Sequence, residues 1–206
     1  MNDESDQKIK NKRGWKRALV QGVGINDADY AVEQVINGKR VPCPFYKRWK
    51  NMIQRCYSPK YQERKPTYVG CSVDPDWLTF SNFKNWMITQ GWEGKQLDKD
   101  ILIEGNKVYS ADTCAFVTSG VNNFLLDCAK TRGSLPLGVS LHQGKYLARC
   151  SDDGIQVKLG YYDSLEEAYV AWVAYKTKLA KQLASQQNDP RVAEALLSRF
   201  IKLTYE

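Results

Sequence analysis

Apolar side chains recur along this chain with two different periods, and the change of period divides it. Over residues 44–57, PFYKRWKNMIQRCY, Tyr46, Trp49, Met52, Ile53 and Cys56 fall at helical spacing and predict an amphipathic helix. Over residues 79–90, Phe80, Phe83, Trp86 and Met87 stack on one helical face behind a Thr or Ser cap. Short strand-like pieces follow at 101–103, 107–109 and 114–117, and then a helix over 122–129. The breakers in residues 130–136, KTRGSLP, mark the expected domain boundary.

Beyond that boundary the period becomes two. Residues 138–142, 145–151 and 156–161 alternate as three strands, joined at Gln143-Gly144 and at the hairpin signal Asp152-Asp153-Gly154. Asp163 or Ser164 then caps a long helix, with Glu166 and Glu167 in its first turn and Lys176, Lys178 and Lys181 toward its end, signs that suit the helix dipole. Its apolar stripe is Leu165, Ala168, Tyr169, Trp172, Leu179 and Leu183. Asn188-Asp189-Pro190 stops it and opens a last helix over 191–203. Packing the sheet on the long helix assigns Val139, Leu141, Tyr146, Ala148, Cys150, Val157 and Leu159 to the covered side. The free face then carries Ser140, His142, Lys145, Arg149, Ser151, Gln156 and Lys158. A face of donors and cations on a narrow β-ribbon is what readout of a DNA major groove requires.

Composition narrows the classes. Of 206 residues, 43% are hydrophobic and 12% aromatic, which excludes a disordered or fibrous chain. No apolar run approaches the roughly 18–20 residues of a membrane span, so no membrane partner is expected. The charged start, MNDESDQKIKNKRGWKR, lacks the apolar core of a signal peptide, and a reducing cytoplasm is expected for the six cysteines. Thirty Lys and Arg against 23 Asp and Glu leave a formal charge of +7. The excess gathers in three clusters: residues 8–17, then Lys47, Arg48, Lys50 and Arg55 among aromatics, then Lys60, Arg64 and Lys65. Basic groups beside aromatics suit phosphate backbones and stacked bases, so a polyanion partner is expected. Zinc on Cys43, Cys56, Cys71 and Cys114 is not favoured, because the chain has no CxxC or CxxH pair and free Cys packs well as a small hydrophobe.

Two resemblances sharpen this picture. Gly138-Val139, residues 144–148 (GKYLA), 159–164 (LGYYDS) and 166–169 (EEAY) resemble an AP2-type DNA-binding domain over residues 136–184. That likeness implies a sheet lying in the major groove, with Ser140, His142, Arg149, Ser151 and Lys158 against the DNA; Lys145, on the same free face, is expected to join them. Residues 97–103 (LDKDILI), 105–110 (GNKVYS), 113–118 (TCAFVT) and Asn122-Asn123 resemble the HNH finger of phage homing endonucleases. Upstream pieces do too: 22–27 (GVGIND), 49–52 (WKNM), 55–57 (RCY), 68–71 (YVGC) and 77–80 (WLTF).

The finger likeness implies a ββα unit in which Asp98 and Asn122 hold one Mg²⁺ or Mn²⁺. In such fingers an adjacent His activates water; here Lys99 stands in its place and Thr113 replaces the central Asn. A lysine, protonated near neutral pH, is a poor base for water, so Lys99 is expected to face the phosphate, with Asp100 as a neighbouring candidate base. Lys47, Arg48, Lys50 and Arg55 would track the backbone.

The expected architecture is α+β, with a basic segment over 1–20, an HNH-like finger with flanking helices over 21–130, and an AP2-like sheet-and-helix module over 136–206. The expected function is that of a phage-type homing or free-standing endonuclease with a degenerate, His-lacking site, a monomer nicking double-stranded DNA in a bacterial host cytoplasm. The competing reading is a catalytically inactive HNH-derived DNA binder acting as a repressor or inhibitor of transcription or replication. A third is an inhibitor that acts on a host protein.

Overall fold

A computed structural model describes residues 17–125 and 134–201 of the chain. The basic residues 8–16, and residues 126–133 of the expected boundary and of the 122–129 helix, lie outside them. The chain is mixed α+β and divides into two units, residues 1–100 with 104–116 and residues 101–103 with 117–206. The division at Phe116 and Val117 precedes the breakers at 130–136.

The first unit opens with a hairpin, β1 (Glu33–Ile36) and β2 (Lys39–Pro42), turning at Asn37-Gly38 with φ of 52° and 73°. Both turn residues sit in the left-handed region, as a two-residue hairpin needs. Next comes α1 (Pro44–Tyr57), with Pro44 in its first turn and Tyr46, Trp49, Met52, Ile53 and Cys56 buried, the stripe its periodicity predicts. A short α2 (Pro59–Arg64) and β3 (Ser72–Val73) lead to α3 (Phe80–Ile88), which buries Phe80, Phe83 and Met87.

The expected Thr or Ser cap is absent on α3, since Thr79 makes no side-chain cap. Asp27 Oδ1 accepts from Ser81 N at 2.9 Å instead, so a distant carboxylate satisfies that orphan donor. The two helices meet through aromatic rings: Phe80 lies 5.4 Å from Tyr46 and 5.5 Å from Trp49, and Trp49 Nε1 donates to Trp77 O at 2.7 Å. Then β4 (Gln96–Asp98) pairs with β6 (Ala115–Val117), while β5 (Val108–Tyr109) runs parallel to β3. The strand expected at 101–103 is instead a bend, because the backbone there turns after β4 rather than pairing.

In the second unit, α4 (Ser119–Phe124) is capped by Thr118 Oγ1, which accepts from Val121 N. The strands β7 (Val139–His142), β8 (Lys145–Asp152) and β9 (Ile155–Tyr162) form one antiparallel sheet in that order. Ser164 caps α5 (Leu165–Ser185) by accepting from Glu167 N at 3.1 Å, and α6 (Pro190–Ile201) packs on α5. Val139, Ala148 and Ala168 centre the sheet–helix core, with Tyr146, Leu159, Tyr162, Leu165 and Tyr169 around them.

Two details fix this packing. Gly138 has φ +80°, and a Cβ there would stand 1.9 Å from Trp172 Cδ1, so the chain enters β7 flat against the indole. Lys176, whose charge suits the helix dipole, is 7% exposed. Its Nζ donates to Phe124 O at 2.7 Å and lies 3.6 Å from that ring's centroid. It therefore neutralises a carbonyl at the end of α4 rather than the end of α5.

Candidate nucleic-acid interface

The sheet of the second unit divides its side chains as alternation predicts, with three departures, one of them Leu147, which shares the parity of Lys145 and Arg149 yet is buried. Val139, Ala148 and Cys150 are buried on the helix side, while His142, Lys145, Arg149, Ser151, Gln156 and Lys158 are exposed and Ser140 half-exposed. Leu141, assigned to the covered side, is 62% exposed because it stands at the turn end of an edge strand.

The third departure is a β-bulge. Register runs Arg149↔Lys158 but Ala148↔Gly160, so Leu159 is extra and the parity of β9 flips beyond it. Strict alternation would place Gly160 on the free face; the bulge puts Tyr161 there, paired with Leu147 and 44% exposed. The His142 ring stacks on Tyr161 with centroids 5.8 Å apart, and Lys158 Nζ lies 4.3 Å from the Tyr161 centroid. An aromatic surface with an imidazole and an ammonium against it thus joins the face, and sequence reasoning missed it. The signal was Gly160, since a glycine inside a strand pattern marks a bulge.

The face also has some internal order. Arg149 Nη2 donates to Ser140 Oγ at 3.4 Å, a long bond that leaves most of the guanidinium fork to solvent. Gly138, Val139, Ser140, Arg149 and Gln156 line a shallow depression of about 360 Å³ around it. Lys145 is the exception, because its Nζ pairs with Asp163 Oδ1 at 2.9 Å on the exposed edge.

In the first unit the basic quartet of α1 splits. Lys50 turns to Glu33 at 3.8 Å and lies over the Tyr46 ring. Lys47, Arg48 and Arg55 line a groove with Asn51 and with Lys95, which the sequence did not single out. Arg48 Nη2 donates to Lys95 O at 2.9 Å and stacks 5.2 Å from the Trp92 centroid. Arg55 is held beside the Tyr109 hydroxyl and over the Tyr68 ring. Burial works against its charge, but the neighbouring Tyr109 and Tyr68 outweigh it and raise the guanidinium's pKa.

The expected catalytic residues occupy the turn after β4. Asp98 Oδ1 accepts from Asp100 N at 2.9 Å, which closes that turn. Lys99 is buried, and its Nζ donates to Asp100 Oδ2 at 2.9 Å and to Asn106 O at 2.8 Å. Asn106 Nδ2 returns a bond to Lys99 O at 2.6 Å, so the two residues clasp the loop that leads to β5. Thr113 Oγ1 donates to Val108 O at 2.8 Å and shares a bond with Ser110, closing the next turn.

Asn122 lies on α4, in the second unit. Among the described residues no group of three His, Cys, Asp or Glu gathers as metal ligands. Around Asp98 a buried amine already bonds the neighbouring carboxylate, a donor set poorly matched to a divalent cation. Cys56, Cys71 and Cys114 are buried, and burial pushes the Cys56 and Cys114 thiols up to about 12, the state of small core hydrophobes.

No family model matches the chain, nor does any curated protein or solved structure. No described helix is long and apolar enough to cross a membrane.

Proposed function

We propose that the protein binds double-stranded DNA through the free face of β7, β8 and β9, as a non-catalytic binder that represses transcription or inhibits replication. The observation that carries the reading is the division of that sheet: one face buried on α5, the other made of cations, hydroxyls and amides around a stacked aromatic. Arg149 and Lys158 would supply phosphate or base contacts. Ser140, Ser151, Gln156 and His142 would supply short donors and acceptors at base edges. The resemblance to AP2-type domains supports the same face.

The burial of Lys99 favours binding over cleavage. Its Nζ faces a carboxylate and a carbonyl of its own loop, so it offers no base to water and no cation to a phosphate. A second reading, metal-dependent nicking, rests on the likeness of residues 97–123 to the HNH finger.

Two assays test these readings. Anisotropy of a labelled duplex over a range of salt concentrations should give a steep loss of affinity. Arg149→Ala with Lys158→Ala should lower the slope of log K against log salt by about 2, one counterion per lost cation. An unchanged slope and affinity would sink the sheet-face assignment and favour a protein partner. Supercoiled plasmid with Mg²⁺ or Mn²⁺ should stay uncut; open circles that vanish with Asp98→Ala would establish the nicking reading instead.

A further inference from the structure

Lys47, Asn51 and Arg55 stand at i, i+4 and i+8 on one face of α1, opposite its buried stripe, and Arg48 lies beside them. Lys95, from the turn after α3, closes the other side, and together they line a cavity of about 160 Å³. None of the lining residues is acidic, and none of the four cations is ion-paired among the described residues.

Four like charges around one concavity repel one another, and an anion relieves that cost. The two guanidiniums are also fixed before any ligand arrives. The Lys95 carbonyl and Trp92 hold Arg48, and the Tyr109 hydroxyl and Tyr68 hold Arg55. A preset fork binds tetrahedral oxyanions with little further loss of freedom. An internal phosphodiester in a duplex carries one charge and is met by cations spread along a stripe. Two guanidinium-bearing, two ammonium-bearing and one amide residue lining one small cavity instead suit a dianion with three free oxygens.

We infer that this cavity binds a phosphate monoester, the terminal phosphate of a nucleotide or of a nucleic-acid strand. The site is independent of the sheet face and stands or falls without it.

The test uses the full chain and a short single strand made in two forms, with a 5′-phosphate and with a 5′-hydroxyl. The phosphorylated strand should bind about tenfold tighter, the scale of one charge-assisted contact set. Lys47→Ala with Lys95→Ala should erase that difference; Lys47 is exposed and Lys95 half-exposed, so the core is not touched. Arg48→Lys, which keeps the charge and loses the fork, should reduce the difference without abolishing it.

Deoxyadenosine monophosphate as competitor separates the sources. Displacement of the phosphorylated strand makes the free nucleotide a ligand, and failure to displace it assigns the pocket to strand ends. Equal binding of the two strands, or an advantage that survives the Lys47/Lys95 double substitution, overturns the inference. Arg149→Ala with Lys158→Ala should leave the advantage intact even where it weakens both strands, so failure of the sheet face is read separately.

Discussion

The sheet face of the second unit and the α1 pocket of the first both gather cations, and they hold them in opposite ways. On the sheet, Arg149 and Lys158 are cross-strand partners, exposed, placed by register and largely open to solvent. In the pocket, Arg48 and Arg55 are pinned by carbonyl, hydroxyl and aromatic partners, and their own chain fixes their direction. The sheet fixes where charges start and leaves their tips to adapt along a surface; the pocket fixes the tips and admits one group. Extended and point-like recognition of phosphate can therefore be told apart by what holds the cation, before any ligand is seen.

The largest expected effect separates the two surfaces outright. Gly138→Ala forces a Cβ into Trp172 at a positive φ, which should cost the second unit about 3 kcal/mol or more. Hydrogen exchange should show the amides of β7, β8 and β9 opening while those of α1 stay protected, and duplex binding should fall with the pocket's response preserved. Equal loosening of α1 would break the separation.

Lys176→Met should come next. It leaves the Phe124 carbonyl without its amine, at a cost of about 1–3 kcal/mol, measured by urea unfolding. Desolvation lowers the Lys176 pKa below its usual 10.5, so the folded chain binds fewer protons than the unfolded one in the alkaline window beneath that value. Wild-type stability relative to the methionine variant should therefore rise as pH climbs through that window, and a flat difference would count against the buried amine.

The smallest effect sharpens the sheet alone. Tyr161→Ala removes the ring between His142 and Lys158 and should weaken duplex binding about threefold, the scale of a surface cation–π contact. Tyr161→Phe should restore it, since the ring and not the hydroxyl makes both contacts; failure of that rescue would point to the phenol.

Much of the scaffold was legible because single positions stated it. Pro44 and the stripe from Tyr46 to Cys56 defined α1, and Ser164 with Glu166 and Glu167 opened α5 at the residue where it begins. Asp153-Gly154 formed the turn its residue types require, with φ of 45° and 82°. The β1–β2 hairpin escaped because Val35, Ile36 and Val41 are exposed and show no alternation, although Asn37-Gly38 was there to be read. Of the candidate sites, the free sheet face could be listed by parity, apart from Tyr161, which lay beyond the bulge. Lys95 and the clasp of Lys99 with Asn106 depend on contacts across loops, and no local pattern encodes those.

The route of the chain near residue 100 has a consequence for its synthesis. Residues 101–103 belong to the second unit although the residues on both sides belong to the first, and Ile101 is 2% exposed. As the polypeptide leaves a ribosome, the rest of the first unit emerges before the residues that complete the second. Until they follow, those three residues lack the rest of the unit they cluster with, and a chain cut after Phe116 would lack it permanently.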